Sequence, residues 1–377
     1  MKCSIVVGYL FGDEGKGITT DFLCSKSTID DTIVVRFSGG QQAGHNVKIK
    51  DVTHVHSNYG SGTLRGVPSY FSEHCTVYPV TLFNETKVLQ PKIKYIPKLI
   101  YHPLVKITTP ADVAYNRLTE LKLGHGSCGL GVAATMKRNE TSGHKLFAID
   151  LTHPEILFEK CKDIYWYYRR LIGEDPYETQ KFNEFFDKEQ YQFENAIDKL
   201  SFDIKSYEIL KYYKDIIFEG SQGIMLDMDH GIFPHVTYSN TTSKNALEIC
   251  KKLNVPQDDI DIYYVTRCYQ TRHGAGWMTN QNEYLLKPVE LINTEDEINQ
   301  YNDWQKDFRI GEIDYELLYY AHRVDSIYSE GIRKNLVVTC LDQRPGFEFQ
   351  YNELGVSYDK IFHSFSADSR TFKEIPK

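Results

Sequence analysis

The chain lacks several features that would assign its class at once. Nowhere do eighteen apolar residues run together, so no membrane-spanning helix and no membrane partner is expected. Eight cysteines, at 3, 24, 75, 128, 161, 250, 268 and 340, include no CxxC pair and no Cys/His cluster. A disulfide framework or a structural zinc is therefore not expected; free thiols of a reducing compartment are. Between Met1 and the first apolar run there is no room for a signal peptide, so a cytoplasmic location is expected. Positive charge is in deficit: 43 Lys and Arg against 51 Asp and Glu leave a net −8. That balance argues against broad nucleic-acid binding but permits a local basic pocket. No internal repeat, low-complexity tract or linker interrupts the 377 residues, of which 41% are apolar and 25% charged. This ordinary globular composition predicts one elaborated domain across residues 1–377.

What is present is a series of short apolar strands that run into glycine loops. Ile5-Val6-Val7 reads as a buried strand. Gly8, Gly12, Gly15 and Gly17 follow, and then a helix over about 18–25. Such a turn lets backbone N–H groups approach phosphates, and the helix dipole favours anions. Lys16 adds a point charge. The loop is P-loop-like, yet its spacing is not that of the common P-loop. Leu10 stands where that motif has its first Gly, and Gly17 where it has a hydroxyl residue for magnesium. Asp13 and Glu14 would repel phosphate unless one holds a metal or handles a proton. The plain alternative is an acidic turn before a helix. The coincidence of four glycines, a lysine and an upstream strand weighs against it.

Further junctions repeat the pattern. Asp31–Arg36 is a strand that enters Phe37–His45, and a His closing a Gly-rich loop beside a phosphate cradle is a candidate catalytic group. Residues 51–86 read as turns, a strand and a short helix. His54 and His56 alternate onto one face, but without a third ligand the structural reading is favoured over a metal site. Leu104–Thr109 reads as a strand and Ala111–Leu121 as a helix. Gly124–Gly131 is a third Gly loop, in which Ser127 and neighbouring N–H groups suit a phosphate; its rival reading is a flexible connector. Residues 150–212 read as a helical subregion outside the central sheet, clearest at Phe182–Leu200, with no chemistry. Asp215–Gly223 is a strand ending in a polar turn, where Gln222 suits an amide-like edge such as a purine's. Asp261–Thr266 leads to Thr271–Gly276, and Asn335–Cys340 is the last strand, followed by Leu341-Asp342. Strands alternating with helical stretches predict an α/β fold with a mainly parallel sheet, its loops converging on one site.

Taken together these residues resemble the adenylosuccinate synthetase family. Gly12-Asp-Glu-Gly-Lys-Gly17 is similar to its opening signature, and Gly39-Gly-Gln-Gln-Ala-Gly-His45 to its Gly-Gly-x-Asn-Ala-Gly-His segment. Phe218–Thr242 is a long match; Thr271–Gly276 and Thr339–Asp342 match in part. Ser364–Arg370 resembles the terminal Ser-x-Gly-Pro-Asp-Arg. The resemblance implies a ligase that joins L-aspartate to the C6-oxo group of a purine nucleoside monophosphate at the expense of an NTP, GTP or ATP, with Mg2+. O6 first takes the γ-phosphoryl group, and the aspartate amine then displaces phosphate. It assigns catalysis to Asp13, Lys16, His45 and Gln222, and metal binding to Asp13 and the Gly40 carbonyl. Nucleotide and phosphate binding fall to Gly12, Glu14, Gly15, Gly17, Gly40, Gln42, Ala43, Gly44, Gly126, Ser127, Thr241, Thr242, Asp342 and Ser366. Arg272, Lys306 and Arg309 would hold aspartate carboxylates. A homodimer is implied, with the family's dimer-crossing arginine near Arg138 or Glu140.

Departures from the family pattern cluster outside the catalytic centre. Gln42 replaces Asn, Cys128 an Arg, Phe308 a guanidinium, Cys340 a Lys, and Ser366-Ala367 the terminal Gly-Pro. Short, divergent relatives include viral enzymes that act on dGMP and make 2-aminoadenylosuccinate nucleotides; many of those have lost Asp13, which this chain keeps. IMP and dGMP therefore both stand as acceptors. A nucleotide sensor that has lost aspartate binding is the rival class, and a switch GTPase is disfavoured by the missing P-loop spacing.

Overall fold

A computed structural model describes residues 1–124, 126–292 and 308–376. Its strands, in chain order, are β1 (Lys2–Gly8), β2 (Thr32–Arg36), β3 (His45–Ile49), β4 (Val52–His56), β5 (Ser69–Phe71), β6 (Thr76–Val77), β7 (Leu99–Tyr101), β8 (Lys106–Ile107), β9 (Asp203–Ile204), β10 (Asp215–Glu219), β11 (Ile260–Arg267), β12 (Gln270–His273), β13 (Phe308–Gly311), β14 (Arg333–Thr339), β15 (Lys360–His363) and β16 (Lys373–Ile375). The helices are α1 (Lys16–Ser25), α2 (Pro79–Leu89), α3 (Pro110–Leu123), α4 (Val132–Thr141), α5 (Pro154–Ile172), α6 (Pro176–Lys199), α7 (Lys244–Lys252) and α8 (Tyr315–Ser326). Ten strands form one sheet in the order β16-β15-β14-β11-β1-β10-β2-β5-β7-β9. Every adjacent pair is parallel except β15–β16. The expected α/β fold with a mainly parallel sheet is therefore the one observed.

The sequence explains the layering. In β1, successive side chains alternate across the sheet: Ile5 and Val7 join a core with Ile249 of α7 and Leu318 of α8. Val6 packs on the other face with Val34, Ile217 and Phe22 of α1. Each such fully buried aliphatic side chain contributes about 1.5–3 kcal/mol. A third core gathers α2, α3, α5 and α6 beyond β5 and β7, around Phe71, Tyr101, Leu118, Tyr168 and Phe182. Among the described residues no helix is long and apolar enough to cross a membrane.

Two expectations need correction. Of Leu104–Thr109 only Lys106 and Ile107 form a strand, and it pairs with β6 outside the main sheet. Residues 150–212 do contain α5 and α6, but β9 then extends the main sheet beside β7, with Ile100 opposite Asp203. Once α6 ends at Leu200 the chain runs extended, and the open edge of β7 supplies its hydrogen-bond partners.

Candidate active site

Because the central strands are parallel, the loops after β1, β2, β10, β11 and β14 leave the same edge of the sheet. They enclose a cavity of about 820 Å³, closed on the far side by residues 126–128 and 234–238. Of the expected residues, Gly12, Asp13, Glu14, Gly15, Lys16, Gly17, Gln42, Ala43, Gly44, His45, Gly126, Ser127, Gln222, Arg272, Asp342 and Ser366 all line it.

The first loop turns sharply at Gly15, which caps α1 at φ 94, a conformation that favours glycine. Thr339 of β14 clamps it by donating to the Glu14 carbonyl at 2.8 Å. The loop thereby presents the N-terminal end of α1, residues 16–18, to the cavity. Glu14 folds beneath the loop and accepts from the Leu10 N–H at 2.6 Å. Burial pushes its carboxyl up to about 8, and burial likewise lowers Lys16.

Asp13 sits at φ 56 with its side chain 26% exposed. Its Oδ2 lies 3.0 Å from His273 Nε2, and its carbonyl accepts from Arg267 Nε. Burial raises its carboxyl, but the His273 hydrogen bond and the charges of His273, Arg267 and Lys16 outweigh that and hold it below the ordinary carboxylate range. Asp13 is therefore ionised and available as a base or metal ligand at neutral pH.

His45 opens β3 and is paired through Nδ1 with Glu219 Oε1 at 2.6 Å. Glu219 also accepts from the Ser61 N–H at 3.0 Å and from the Ser61 hydroxyl. Burial acts against its charge, but His45, Arg36 and Ser61 hold it down to about 2. Burial also lowers His45, against the pull of Glu219. The pair is thus a carboxylate and a neutral imidazole with Nδ1–H, leaving Nε2 for a ligand.

Two amides face the cavity unsatisfied. Both Gln42 Nε2 and Oε1, and Gln222 Oε1, are buried with no hydrogen-bond partner. Neighbouring Gln41 is the reverse case: it donates to Thr108 Oγ1 and the Leu130 carbonyl and accepts from Thr76, which fixes the loop.

Other expected residues lie elsewhere. The Gly40 carbonyl accepts from the Ala43 N–H at 3.1 Å, and Gly40 packs on Thr76 behind the cavity wall. Thr241 and Thr242 donate their N–H groups to Asp227, and the Thr241 hydroxyl donates to the Gly223 carbonyl, so both brace the loop after β10 and do not line the cavity. Arg309 donates to the carbonyls of Gly274 and Gly276 and to Gln281, away from the wall. Lys306 lies outside the described residues. Arg138 is 1% exposed and grips Asp112 in a two-bond fork at 2.8 and 2.9 Å, which bars it from reaching a second subunit; Glu140 is exposed. Arg272 does reach the cavity, but donates to the carbonyls of Trp277 and His235 and stacks over Phe11. Burial and the nearby Arg309 pull it down to about 10.

Sequence reasoning missed Glu219, Ser61, Arg267 and His273. Glu219 and His273 lay inside recognised motifs, so their presence was visible and only their partners were not. Ser61 joins Glu219 through folding alone and leaves no local signal. His54 and His56 do share a face, with ring centroids 4.7 Å apart, and His54 pairs with Glu85. Among the described residues no cluster of three His, Cys, Asp or Glu forms a metal site.

The profile of the adenylosuccinate synthetase family matches residues 5–373. An adenylosuccinate synthetase of Thermoplasma volcanium is 27% identical over 389 residues, covering all of this chain and 81% of that one. One from Clostridium botulinum is 29% identical over 427 residues, covering 100% and 92%. Among solved structures, the fully ligated adenylosuccinate synthetase of Plasmodium falciparum superposes with a TM-score of 0.67 at 20% identity, over 100% of this chain and 87% of that one. The cyanophage S-2L succinoaminodeoxyadenylate synthetase, bound to dGMP and dATP, gives 0.63 at 14%, over 100% and 96%. With its five glycine junctions meeting at one cavity and its profile match running nearly end to end, this chain belongs to the adenylosuccinate synthetase family, ligases that form a C–N bond.

Proposed function

We propose that the protein condenses L-aspartate with the C6-oxo group of IMP or dGMP, using GTP or ATP, through a 6-phosphoryl intermediate. The product is adenylosuccinate or its 2-amino-deoxy counterpart. The observation that carries this reading is the meeting of ionised Asp13 and Glu219-braced His45 on one cavity wall. Asp13 takes the N1 proton and pushes charge onto O6, which attacks the γ-phosphorus as the NDP leaves. Gln222, whose Oε1 lacks a partner, orients the purine edge. The amides at the start of α1 and the Nε2 of His45 meet the transferring oxygens, and His45 takes up a proton as that charge arrives. The aspartate amine then adds to C6, and phosphate departs carrying O6. Magnesium fits here in its usual manner, with one carboxylate, Asp13, and substrate phosphates, and it would neutralise the phosphate charge. Gly40 packs behind the wall, so Asp13 is the protein ligand the geometry supports.

Incubating the protein with magnesium, aspartate, either NTP, and IMP, GMP, dIMP or dGMP in turn tests the reading by mass analysis of succino-purine products. One acceptor is expected to yield product; none doing so defeats it. A second reading, a nucleotide-binding relative that no longer ligates, is favoured by one observation: Arg309 is committed to backbone carbonyls. Phosphate release independent of aspartate would support that alternative. A homodimer remains part of the proposal, but not one completed by Arg138.

A further inference from the structure

We infer that Arg36 is a positioning residue for His45: standing beside Glu219, it keeps the imidazole from being captured as a fixed ion pair, so that Nε2 stays open until a phosphate arrives. The inference rests on the role given to His45 above.

The geometry begins in the sheet. Arg36 closes β2 and Glu219 closes β10, and the two are partners in parallel register. Partners in register point to the same face. On the other side Arg36 is in register with Phe71 of β5, and its guanidinium lies over that ring, 5.7 Å from the centroid. Arg36 is fully buried, and none of its three guanidinium nitrogens has a hydrogen-bond partner. A buried cation without a partner is costly. Its field is also unquenched by contact and strong in so dry a place. Nothing in the packing of Phe71 requires a charge there, because any long side chain would cover the ring.

The charged and titratable groups that face the Glu219–His45 pair come from every element around it: Arg36 from β2, Lys16 and Cys24 from α1, and His56 from β4. Of these, Lys16 reaches the cavity, whereas all three guanidinium nitrogens of Arg36 are buried without a hydrogen-bond partner. Glu219 draws a proton onto His45; Arg36 opposes it, acting in the same direction as burial. In the ligand-free protein the outcome is a neutral ring with Nδ1–H on Glu219. A second negative charge, brought to Nε2 by a phosphate, tips the balance. Without Arg36 the opposition to Glu219 is weakened, the ring takes a proton more readily, and its response to ligand is blunted.

The test follows the His45 ring through a pH titration by NMR of histidine-labelled protein, its signal assigned by its absence in His45→Ala. Arg36→Met is expected to raise the His45 midpoint by about one pH unit, and Glu219→Gln to lower it by about as much. Arg36→Lys, which keeps the charge, is expected to restore the wild-type midpoint. A residue with a merely packing role would not produce opposite shifts. An Arg36→Met midpoint that stays put or falls overturns the inference. Should Arg36→Met not fold, Arg36→Gln, which removes the charge but keeps a long polar side chain, decides by the same midpoint: a rise supports the inference, and none overturns it. The readout needs no turnover. Protein showing the opposite shifts but forming no succino-purine keeps this inference and loses the proposed function; the converse result does the reverse.

Discussion

Opposite walls of the same cavity are held in opposite ways. On the side built by the loops after β1, β2 and β10, ligand-facing groups are left incomplete: both amide atoms of Gln42, one of Gln222, and Nε2 of His45. On the opposite side, at β12 and the turn that follows it, the described arginines are already engaged. Arg272 serves the carbonyls of Trp277 and His235, and Arg309 those of Gly274 and Gly276. An unsatisfied buried polar atom costs about 1–3 kcal/mol until something completes it. The first wall is therefore shaped for a ligand, and the second mainly for its own loops. Divergence from the family pattern follows that division only in part: the first wall keeps Asp13, Lys16 and His45 but changes at Gln42, and elsewhere Phe308 and Cys340 are altered.

Four experiments would break or sharpen that contrast. The largest effect is expected from Asp13→Ala or His45→Ala, each lowering NTP-dependent product formation about 10²–10⁴-fold in folded protein. Full activity in either variant would remove the first wall's chemical role. Next comes acid stability. His45, Arg36 and Ser61 hold the Glu219 carboxyl down to about 2, well below an ordinary glutamate. A depressed carboxylate stabilises above its unfolded pKa and loses that contribution as pH falls through the folded one. Wild type should thus exceed Glu219→Gln by up to about 3 kcal/mol above pH 4.5, with the gap closing toward pH 2, as read by urea unfolding at several pH values. Third, Gln42→Leu should weaken nucleotide binding about tenfold, by calorimetry, while stability holds or rises, because its amide has no protein partner to lose. A stability loss without any change in affinity would contradict the division. The smallest effect is predicted for Arg309→Met: about 1–2 kcal/mol of stability, with the KM for aspartate changing less than threefold. A tenfold rise in that KM would show that the second wall, too, is built for ligand.

The strands that position the site could be read from the sequence because each is a short β-branched run ended by glycine or a polar turn, as in Ile5-Val6-Val7 and Ile216-Ile217-Phe218. The sheet's edge could not. β5, β7 and β9 are two or three residues long, too short to show a period, and are strands only because a neighbour's open edge accepts them. The site divides similarly. Asp13, His45 and Gln222 stand at loop tips, where residue type and spacing betray them. Ser61, Glu219 and Arg267 act on those tips from other elements, and pairings across the fold have no local pattern. Thr241 and Thr242 show the same limit: inside a strong motif, their N–H groups hold Asp227, a pairing the motif does not announce.

The loops after β1 and β10 are sewn together. Met225 donates to the Leu10 carbonyl at 3.0 Å, and Gly223 approaches that same carbonyl so closely that any side chain there would collide with it. Asp13 and Gln222 accordingly travel as one rigid piece, and neither can be moved without dislodging the other. A lineage of such proteins drifting toward a new nucleobase or sugar would have to remodel the outer rim of the chamber, around residues such as Cys128, Cys340 and Ser366, while the hinge-like seam at Leu10 and Gly223 stays frozen.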